Sequence, residues 1–379
     1  MKSLACFLRL FLSMLLTLGT LLESRHIVYP VVAQQDQSKE KPSEIDQTGP
    51  KQEDTDTLVG PKKGPPVKKK RITPKKPAGD KPEDNYTLAV EVEVINLDVV
   101  VTDKKGNFIP NLSQRNFKVY EDKVEQKISN FAPTQAPLTI VLLIEFSRTF
   151  GYFYDDVVMP AAQFIDMLRP SDWAAVIAYD LRPEILADFT QDKRDLYAAL
   201  GRMRIPSFSE SNMFDALKDT LDRLDEVDGK KAVLLLSTGL DTFSKITFDT
   251  MLKRIRTTNA VIYCIGMGQY AREYFDSHGM MGPIARLDFL QADNELNTFS
   301  RLTGGKAWFP RFIGEYPSIL QQVGIELRNQ YSMAYAPTNA TKDGKFRKIK
   351  VDVVDENGIP VKNISVRTKE GYTAAKGST

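Results

Sequence analysis

The sequence IVLLIEFSRTF, from Ile140 to Phe150, joins five apolar residues to a carboxylate and two hydroxyl groups. An uninterrupted apolar run of this length is typical of a strand that is buried on both faces of a parallel sheet. Its last residue, Glu145, would lie at the carboxyl end of that strand, followed by the hydroxyls of Ser147 and Thr149. Open α/β sheets bind their ligands at the carboxyl ends of strands. The stretch therefore predicts a fold class and the position of a candidate site.

The same apolar pattern recurs through residues 137–329 and alternates with helical patterns. The strand patterns cover residues 139–145, 173–180, 184–190, 231–239, 260–268 and 306–310. The helical patterns cover residues 155–168, 193–203, 212–224, 248–257, 287–302 and 316–330. Short apolar strands that alternate with helices predict an α/β fold with a doubly wound, mostly parallel sheet covered on both faces.

Residues 86–136 and 330–379 on either side show a two-residue alternation instead. In LAVEVEVINLDVVVTD, from Leu88 to Asp103, apolar residues recur at every second position, which is typical of strands with one buried face. Each flank has too few strands for a stable sandwich of its own. We therefore predict β-sandwich-like N- and C-terminal segments that pair into one β-module, interrupted by the α/β domain.

The two flanks also share a turn sequence, TDKKGNFIPNLS at 102–113 and VDENGIPVKNIS at 354–365. We align the aspartates, glycines and prolines of the two copies, which are Asp103 with Asp355, Gly106 with Gly358, and Pro110 with Pro360. Strand–turn–strand units of this form recur in exported immunoglobulin-like modules, which favours the same kind of module here.

The N-terminus has the features of an export signal. A basic start at Lys2 precedes an apolar run from Leu10 to Leu22, and a small-residue site ends at Ala33. We predict a signal peptide over residues 1–33 and an exported protein, periplasmic or secreted, without an integral membrane span after cleavage. The distance from the apolar run to Ala33 is unusually long, so an uncleaved inner-membrane anchor is the alternative.

Residues 34–85 contain eight prolines, no aromatic residue and many charges. Such a segment cannot bury enough apolar surface to offset the entropy of ordering it, and we predict a disordered linker. Residues 61–77 hold eight basic side chains and no acidic one. Two interpretations stay open for them, a solvated tether and a basic patch that contacts anionic lipid headgroups or cell-surface polymers.

Cysteine and histidine are too scarce to support the common nucleophilic mechanisms. Removal of the signal leaves Cys264 as the single cysteine, so no internal disulfide can form, and His278 as the single histidine. Nothing in the sequence places a nucleophile beside His278. We therefore predict no catalytic residues, and an enzyme that uses Glu145 or His278 remains as a third hypothesis. The net charge of +2 gives no argument for a nucleic-acid partner.

Three loops at the predicted carboxyl edge carry side-chain oxygens. They are Glu145, Ser147 and Thr149 after the first strand, Ser209, Ser211 and Asn212 before the helix at 212–224, and Thr238 and Asp241 after the fourth strand of the parallel sheet. In a doubly wound sheet, the first and fourth parallel strands flank the crevice at which the strand order reverses. Oxygen-only sites suit magnesium, manganese or calcium rather than zinc.

These motifs resemble those of a known family. The α/β region is similar to a von Willebrand factor type A domain, and the chain from about residue 90 to its end resembles bacterial VWFA-related proteins described from acidobacteria. The resemblance includes SESNMFDAL at 209–217, TGGKAWFP at 303–310 and QYSMAYAPTNATKDGKFRKIKV at 330–351. It implies a Rossmann-like fold and a role in cell adhesion or protein binding.

The family's metal-ion-dependent adhesion motif is Asp-x-Ser-x-Ser, followed by a Thr and an Asp from two other loops. The resemblance maps these positions onto Glu145, Ser147, Thr149, Ser211 and Thr238. The stem of Glu145 is longer than that of Asp by about 1.5 Å, against a tolerance of ~0.2 Å for a ligand distance, and Thr238 has no carboxylate. Magnesium is usually held through one or two carboxylates. We predict a degenerate site without a tightly bound metal, and weak binding of Mg, Mn or Ca is the alternative.

Without a metal, recognition would depend on the rim of the crevice. The predicted partner-binding residues are Phe146, Arg148, Phe150, Tyr152 and Asp241, with further aromatic candidates at Phe153, Tyr154, Phe208 and Phe243. Aromatic and arginine side chains are the usual anchors of protein interfaces. Arg148 also offers a guanidinium to pair with Glu145 in place of a cation. The competing interpretation is structural: the aromatic residues pack under the next helix, Ser147 and Thr149 cap a turn, and Ser209 or Ser211 is a helix N-cap.

The sequence thus predicts an exported, non-catalytic module that binds a protein or a cell-surface component through its A-type domain. The alternative is an envelope scaffold or assembly factor that binds through strand pairing of its β-segments.

Overall fold

The computed structural model describes residues 94–134, 137–147, 154–203, 208, 210–279 and 281–376, together with Pro65. All of these residues belong to one compact unit, residues 61–379. The predictions for the signal at 1–33 and for the linker at 34–85, Pro65 apart, fall outside the described residues and stay predictions.

The described elements follow the order that the sequence predicts. In chain order, the strands are β1 (Ile95–Asp103), β2 (Phe117–Glu121), β3 (Val124–Gln126), β4 (Ile128–Thr134), β5 (Leu138–Glu145), β6 (Trp173–Tyr179), β7 (Pro183–Thr190), β8 (Lys230–Ser237), β9 (Val261–Gly266), β10 (Ala307–Trp308), β11 (Gln330–Tyr335), β12 (Phe346–Val353), β13 (Ile364–Arg367) and β14 (Gly371–Thr373). The helices are α1 (Tyr154–Met167), α2 (Lys193–Arg202), α3 (Met213–Asp225), α4 (Phe248–Ile255), α5 (Gly268–Ser277), α6 (Pro283–Thr303) and α7 (Tyr316–Arg328).

The central sheet has the strand order β10–β9–β8–β5–β6–β7. Neighbouring strands are parallel except for β7, which is antiparallel to β6. Counted from β7, the strands of this sheet come third, second, first, fourth, fifth and sixth along the chain, which is a doubly wound order. The predicted α/β fold is confirmed, and the reversal of strand order lies between β5 and β8.

Helices cover both faces of this sheet. Consecutive residues of a strand point to opposite faces, so each central strand contributes side chains to two cores. Along β5, Ile140, Leu142 and Ile144 pack in a core with residues of α1, α2 and α7. Val141 and Leu143 pack in a second core with residues of α3, α4 and α6. The apolar run that opens the sequence analysis is therefore explained by burial on two sides.

The predicted helical segments all form helices, with ends shifted by a few residues. Helix α5 is an addition that the sequence analysis did not predict, because it begins at Gly268, a poor helix former, directly after a strand pattern. Within the described part of the chain, no helix combines the length and the apolarity that crossing a bilayer requires.

The two flanks form one β-module of two antiparallel sheets, with the orders β13–β1–β11–β4 and β14–β12–β2–β3. In the first sheet, strands of the two flanks alternate, since β1 lies between β13 and β11, and β11 also pairs with β4. In the second sheet, β14 and β12 of the C-terminal flank join β2 and β3 of the N-terminal flank through the pair of β12 with β2. Inward residues of both sheets share one apolar core. The predicted pairing of the flanks is confirmed.

The two similar turns adopt the same backbone conformation. The Asp103 side chain accepts the backbone N–H groups of Lys105 and Asn107, and the Asp355 side chain accepts those of Asn357 and Ile359. The glycine three residues after each aspartate has a positive φ, 86° at Gly106 and 77° at Gly358. A positive φ favours glycine because it has no Cβ, which explains why both turns carry one.

The structure corrects one part of the alignment of these turns. Residues 103–111 correspond to residues 355–363 without a gap, since Asn111 and Asn363 both have a φ of 63°. Phe108, rather than Pro110, is therefore the counterpart of Pro360, and each forms an isolated antiparallel bridge. The alignment of the prolines was wrong because it followed residue identity, whereas the positions of the aspartate and the glycine determine the turn.

Candidate functional site

Strand register gathers three polar side chains at the carboxyl edge between β5 and β8. Glu145 is paired directly with Tyr179 of β6. Ile144 is paired with Leu236 of β8, so that Glu145 lies level with Ser237. Glu145, Tyr179 and Ser237 continue the alternate rows whose apolar members share a core with α3, and they therefore point to the same side of the sheet.

The Glu145 carboxylate is buried and accepts hydrogen bonds on both oxygens. Ser147 donates its hydroxyl to Oε1 at 2.9 Å. Ser237 donates its hydroxyl to Oε2 at 2.8 Å, and the backbone N–H of Thr238 donates to the same oxygen at 2.7 Å. The Thr238 hydroxyl lies 3.1 Å from Oε1 and 2.9 Å from Oε2. We call Glu145 with Ser147, Ser237 and Thr238 the carboxylate cage.

Burial and hydrogen bonding act in opposite directions on this carboxyl group. Burial, the largest effect, raises the pKa of Glu145 above its ordinary value of 4.5. The hydrogen bonds from Ser237, Thr238 and Ser147 lower the pKa, but by less than burial raises it. The cage therefore stabilises the carboxylate without fully replacing the water that burial removes.

A second layer of hydrogen bonds orients the cage. The Tyr179 hydroxyl donates to Ser237 Oγ at 2.9 Å, and the backbone N–H of Gly239 donates to the same oxygen at 2.8 Å. With two donors on its oxygen, the Ser237 hydroxyl directs its own hydrogen to Glu145. Tyr179 thereby links β6 to the contact between β5 and β8.

A divalent cation at Glu145 would compete with the hydrogen bonds of the carboxylate cage. A magnesium site needs ligand oxygens that converge on one point at about 2.0–2.1 Å. In the carboxylate cage, the hydroxyls of Ser147 and Thr238 instead donate their hydrogens to Glu145. Among the described residues, no three Asp, Glu, His or Cys side chains lie close enough together to hold a metal ion. Thr149 lies outside the described residues, and the lack of tight metal binding stays a prediction.

Ser211 lies near the crevice and is not hydrogen-bonded to the carboxylate cage. Its backbone N–H donates to Thr242 Oγ1 at 2.9 Å, and its carbonyl accepts the backbone N–H of Thr242 at 2.8 Å. The backbone N–H of Asn212 donates to the Asp180 carbonyl at 2.9 Å, just after β6. Ser211 thus lies between the loops that follow β6 and β8. Of the mapped motif residues that are described, Ser147 and Thr238 are hydrogen-bonded to Glu145 and Ser211 is not.

The capping of α3 differs from the prediction. Asn212, and not Ser209 or Ser211, is the N-cap residue, and its side chain makes no capping hydrogen bond. The Asn212 side chain donates to the Leu181 carbonyl instead. The predicted serine cap is wrong because a distant loop supplies the groups that cap this helix.

That loop follows β8 and contains Asp241. Asp241 Oδ1 accepts the backbone N–H of Phe214 at 3.3 Å, and Ser244 Oγ accepts that of Asp215 at 3.2 Å. The Asp215 carboxylate in turn accepts the backbone N–H of Lys245 at 2.9 Å. Burial, the largest effect, raises the pKa of Asp241. Asp241 therefore has a structural role, and its predicted role in partner binding stays a prediction.

A cavity of about 440 Å³ opens beside this loop, between the loop and helix α6. Its wall combines three aromatic rings with three carboxylates, which are Phe214, Phe248, Phe289, Asp241, Asp288 and Glu295. Among the residues that the structure describes, no lysine or arginine lines it. Burial raises the pKa of Glu295, and the nearby charge of Asp241 raises it further. This acidic pocket therefore offers apolar surface together with three carboxylates.

The predicted aromatic rim is described only in part. Phe243 is 61% exposed and Phe208 is 45% exposed. Phe146 is half-buried and packs against the core shared with α1, α2 and α7. The predicted rim residues outside the described part of the chain are Arg148, Phe150, Tyr152 and Phe153, together with the side chain of Tyr154.

Ser237 and Tyr179 belong to the site but were not among the predicted site residues. Each is the last residue of its strand and directly follows a run of apolar residues. A polar side chain at a buried strand end needs a hydrogen-bond partner. This requirement could have marked both residues as site candidates from the sequence. Which partner each side chain finds depends on strand order, which the sequence does not state.

His278 and Cys264 make no described hydrogen bond to the carboxylate cage. His278 is exposed at the end of α5, where its ring contacts Tyr274 and Ser277. Cys264 is buried in β9, and burial raises the pKa of its thiol to about 12. At neutral pH this thiol is protonated and therefore a poor nucleophile.

The comparisons with known proteins give matches among solved structures. The chain is similar to the von Willebrand factor domain of the type V pili tip protein Mfa5 from Porphyromonas gingivalis, with 14% identity and a TM-score of 0.38, over 52% of this chain and 98% of that one. It is similar to a von Willebrand factor type A structure from Catenulispora acidiphila, with 11% identity and a TM-score of 0.39, over 76% and 75% of the two chains. A fragment with three N-terminal domains of Mfa5 matches with 19% identity and a TM-score of 0.26 over 40% of this chain, which spans 27% of that fragment.

No protein-family model and no curated protein matches the chain. The fold assignment rests on the strand order of the central sheet. The resemblance to acidobacterial proteins and the degenerate metal site stay predictions.

Proposed function

We propose that this chain is an exported, non-catalytic binding protein that recognises a protein or cell-surface partner at the crevice of its A-type domain, without a tightly bound metal. The observation that carries the proposal is the carboxylate cage. Its hydroxyls donate to both oxygens of the Glu145 carboxylate, which supports a crevice that holds this charge without a tightly bound cation.

The surface around the cage favours a partner that carries both apolar and basic groups. Phe243 is exposed on the loop after β8, and Ile284 and Leu287 are exposed on α6. The acidic pocket lies between these two elements. An apolar side chain of the partner would fill the pocket, while a lysine or arginine beside it would compensate Asp241 and Glu295.

Partner capture by the full chain from an envelope extract tests this proposal. Phe243→Glu places a charge on the exposed rim beside an already acidic pocket, and we expect capture to fall by about tenfold or more, as for an interface anchor. Val124→Glu is the matched control, because Val124 is similarly exposed but belongs to the β-module. Capture should also be unchanged by a chelator.

Three results would contradict the proposal. Equal loss of capture in both variants would mean that the rim is not the binding surface. Loss of capture on chelation would mean that a metal is required. Turnover of a small-molecule substrate that Glu145→Gln abolishes would revive the enzyme hypothesis.

A further inference from the structure

We propose that the acidic pocket binds a protonated amine, with the ammonium group beside Asp241 and Glu295 and the carbon chain along the aromatic wall. A lysine side chain is the ligand of this class that a protein partner offers. The inference rests on the proposed function and refines it, since one lysine supplies both the apolar and the basic group that the site favours. A free alkylammonium ion has the same chemistry, and the experiment below distinguishes the two sources.

The acidic pocket has the size and the wall composition of a site for a small organic group. Its volume of about 440 Å³ lies in the range of roughly 300–1,000 Å³ that is usual for ligand sites. Phe214, Phe248 and Phe289 supply apolar surface, and the ring centroids of Phe214 and Phe248 lie 6.1 Å apart. Aromatic surface beside carboxylates attracts organic cations, because the ring faces are electron-rich and the carboxylates carry a full charge.

Glu295 is the most deeply buried carboxylate of the pocket. It is 8% exposed, and Gln291 donates a hydrogen bond to its Oε1 at 3.0 Å. Burial and the charge of Asp241 raise the pKa of Glu295, and no described cationic side chain lowers it. Buried carboxylates are usually paired with a positive charge. A cation that enters the pocket therefore gains an interaction that the described residues do not supply.

Asp241 lines the pocket from the loop after β8, across from α6. Its Oδ1 accepts the Ser244 hydroxyl at 2.6 Å and the backbone N–H of Phe214 at 3.3 Å, so its described hydrogen-bond donors are neutral groups. Burial raises the pKa of Asp241, and the charge of Asp215 raises it further. Both walls of the pocket therefore present a carboxylate to which a positive charge is favourable.

An organic cation suits this pocket better than a metal ion. Although three carboxylates line it, no three Asp, Glu, His or Cys side chains of the described residues lie close enough together to hold a metal. A metal ion needs several oxygens at short, fixed distances, whereas an ammonium group accepts one or two carboxylates and leaves its carbon chain to apolar contacts. Leu287, Leu290 and Phe243 are exposed on the elements that form the pocket, and would contact the neighbours of a lysine in a peptide.

Acidification should release the amine, because the charged groups of the described wall are all carboxylates. Asp288 and Glu295 come from α6, Asp241 comes from the loop, and Asp215 at the start of α3 acts on Asp241. Helix α4 contributes the uncharged Phe248. Because their pKa values are raised, Glu295 and Asp241 protonate at a higher pH than ordinary carboxylates, while the amine keeps its charge. Amine binding should therefore weaken as pH falls through these raised pKa values.

Ligand-observed NMR of the full chain with three probes tests the proposal. The probes are acetyl-Leu-Lys-Leu-amide, the same peptide with norleucine in place of lysine, and butylammonium, which is the free side chain. We expect the lysine peptide to bind about tenfold tighter than the norleucine peptide, which has the same carbon chain but no charge. Tighter binding of the lysine peptide than of butylammonium assigns a protein partner, and equal binding assigns a free amine.

Glu295→Gln removes the buried charge and keeps the shape of the side chain. It should weaken binding of the lysine peptide by about tenfold, leave the norleucine peptide unchanged and flatten the pH dependence. Asp288→Asn changes an exposed residue of the same wall, and should weaken binding with little effect on folding. Glu226→Gln is the matched control, because Glu226 is exposed at the carboxyl end of α3 and does not line the pocket. It should leave binding unchanged.

Several outcomes would overturn the proposal. They are equal binding of the lysine and norleucine peptides to the wild-type chain, unchanged binding in Glu295→Gln, and equal losses in Glu295→Gln and Glu226→Gln. Partner capture with Phe243→Glu separates this proposal from the proposed function. If no amine binds while Phe243→Glu still lowers capture, the amine site is refuted and the proposed function stands. Amine binding together with capture that is insensitive to Phe243→Glu would give the reverse.

Discussion

Glu145 ends the first strand of the central sheet, where a buried carboxylate needs compensation. Three hydroxyls and one backbone N–H supply it, and no described cationic side chain is hydrogen-bonded to Glu145. The pKa of the Glu145 carboxyl group is nevertheless raised, because these neutral donors stabilise its charge less than water does.

The raised pKa predicts how Glu145→Gln changes the pH dependence of stability. Between the ordinary pKa of 4.5 and the raised value, the folded state binds more protons than the unfolded state, so the free energy of unfolding falls as pH rises. Glutamine removes this contribution. Wild-type stability relative to Glu145→Gln should therefore be highest below pH 4.5 and should decline toward neutral pH, as measured by urea unfolding across that range. A difference that is flat or increases with pH would contradict the account.

Single residues also limited what the sequence could predict about the site. Glu145 was found because it ends a strand, Ser147 because it follows that strand closely, and Thr238 because it follows another. Ser237 and Tyr179 were missed because their role depends on being level with Glu145 across three strands, and register is a property of the folded sheet. The contacts of Ser211 with Thr242 likewise depend on two loops that are distant in sequence.

At the scale of elements, periodicity predicted the strands and helices because burial on two faces produces a distinct pattern for each. Periodicity did not predict the start of one helix or the capping of another. Helix α5 starts at a glycine, and α3 is capped by Asp241 and Ser244 from another loop and not by its own preceding serines. In the two repeated turns, by contrast, the local sequence is sufficient, since Asp103 and Asp355 accept equivalent backbone hydrogen bonds in the two flanks.

The turn glycines provide a prediction at this scale. Gly358 has a φ of 77° and open space around its Cα, so that only backbone strain opposes a side chain there. Gly358→Ala should lower the free energy of unfolding by about 1 kcal/mol. Gly201, within α2, also has open space but no positive φ, and Gly201→Ala should be neutral or stabilising by about 0.5–1 kcal/mol. Urea unfolding of both variants checks this, and equal effects would contradict the assigned turn.

At the scale of the whole molecule, the α/β domain is inserted into the β-module. The sequence predicted that the flanks pair because neither has enough strands alone, but it did not predict that both sheets contain strands of both flanks. This mixed composition makes each flank depend on the other for pairing partners.

Deletion of residues 338–376 tests this dependence. It removes β12 from beside β2 and β13 from beside β1. The amides of β2 should lose their protection from hydrogen exchange, since local opening then costs about 0 kcal/mol, while β5 and β8 keep theirs within their own sheet. A control deletion of residues 377–379, outside the described part of the chain, should change neither. Protected β2 amides in the larger deletion would contradict the interleaved module.

The carboxylate cage in place of a bound cation is the central claim, and calorimetric titration of the full chain with manganese tests it most directly. The account predicts no binding tighter than on the order of millimolar for the wild-type chain. It predicts tighter binding for the double variant Glu145→Asp/Thr238→Asp, which shortens one stem and restores the second carboxylate. Wild-type binding with a dissociation constant on the order of micromolar would contradict the claim.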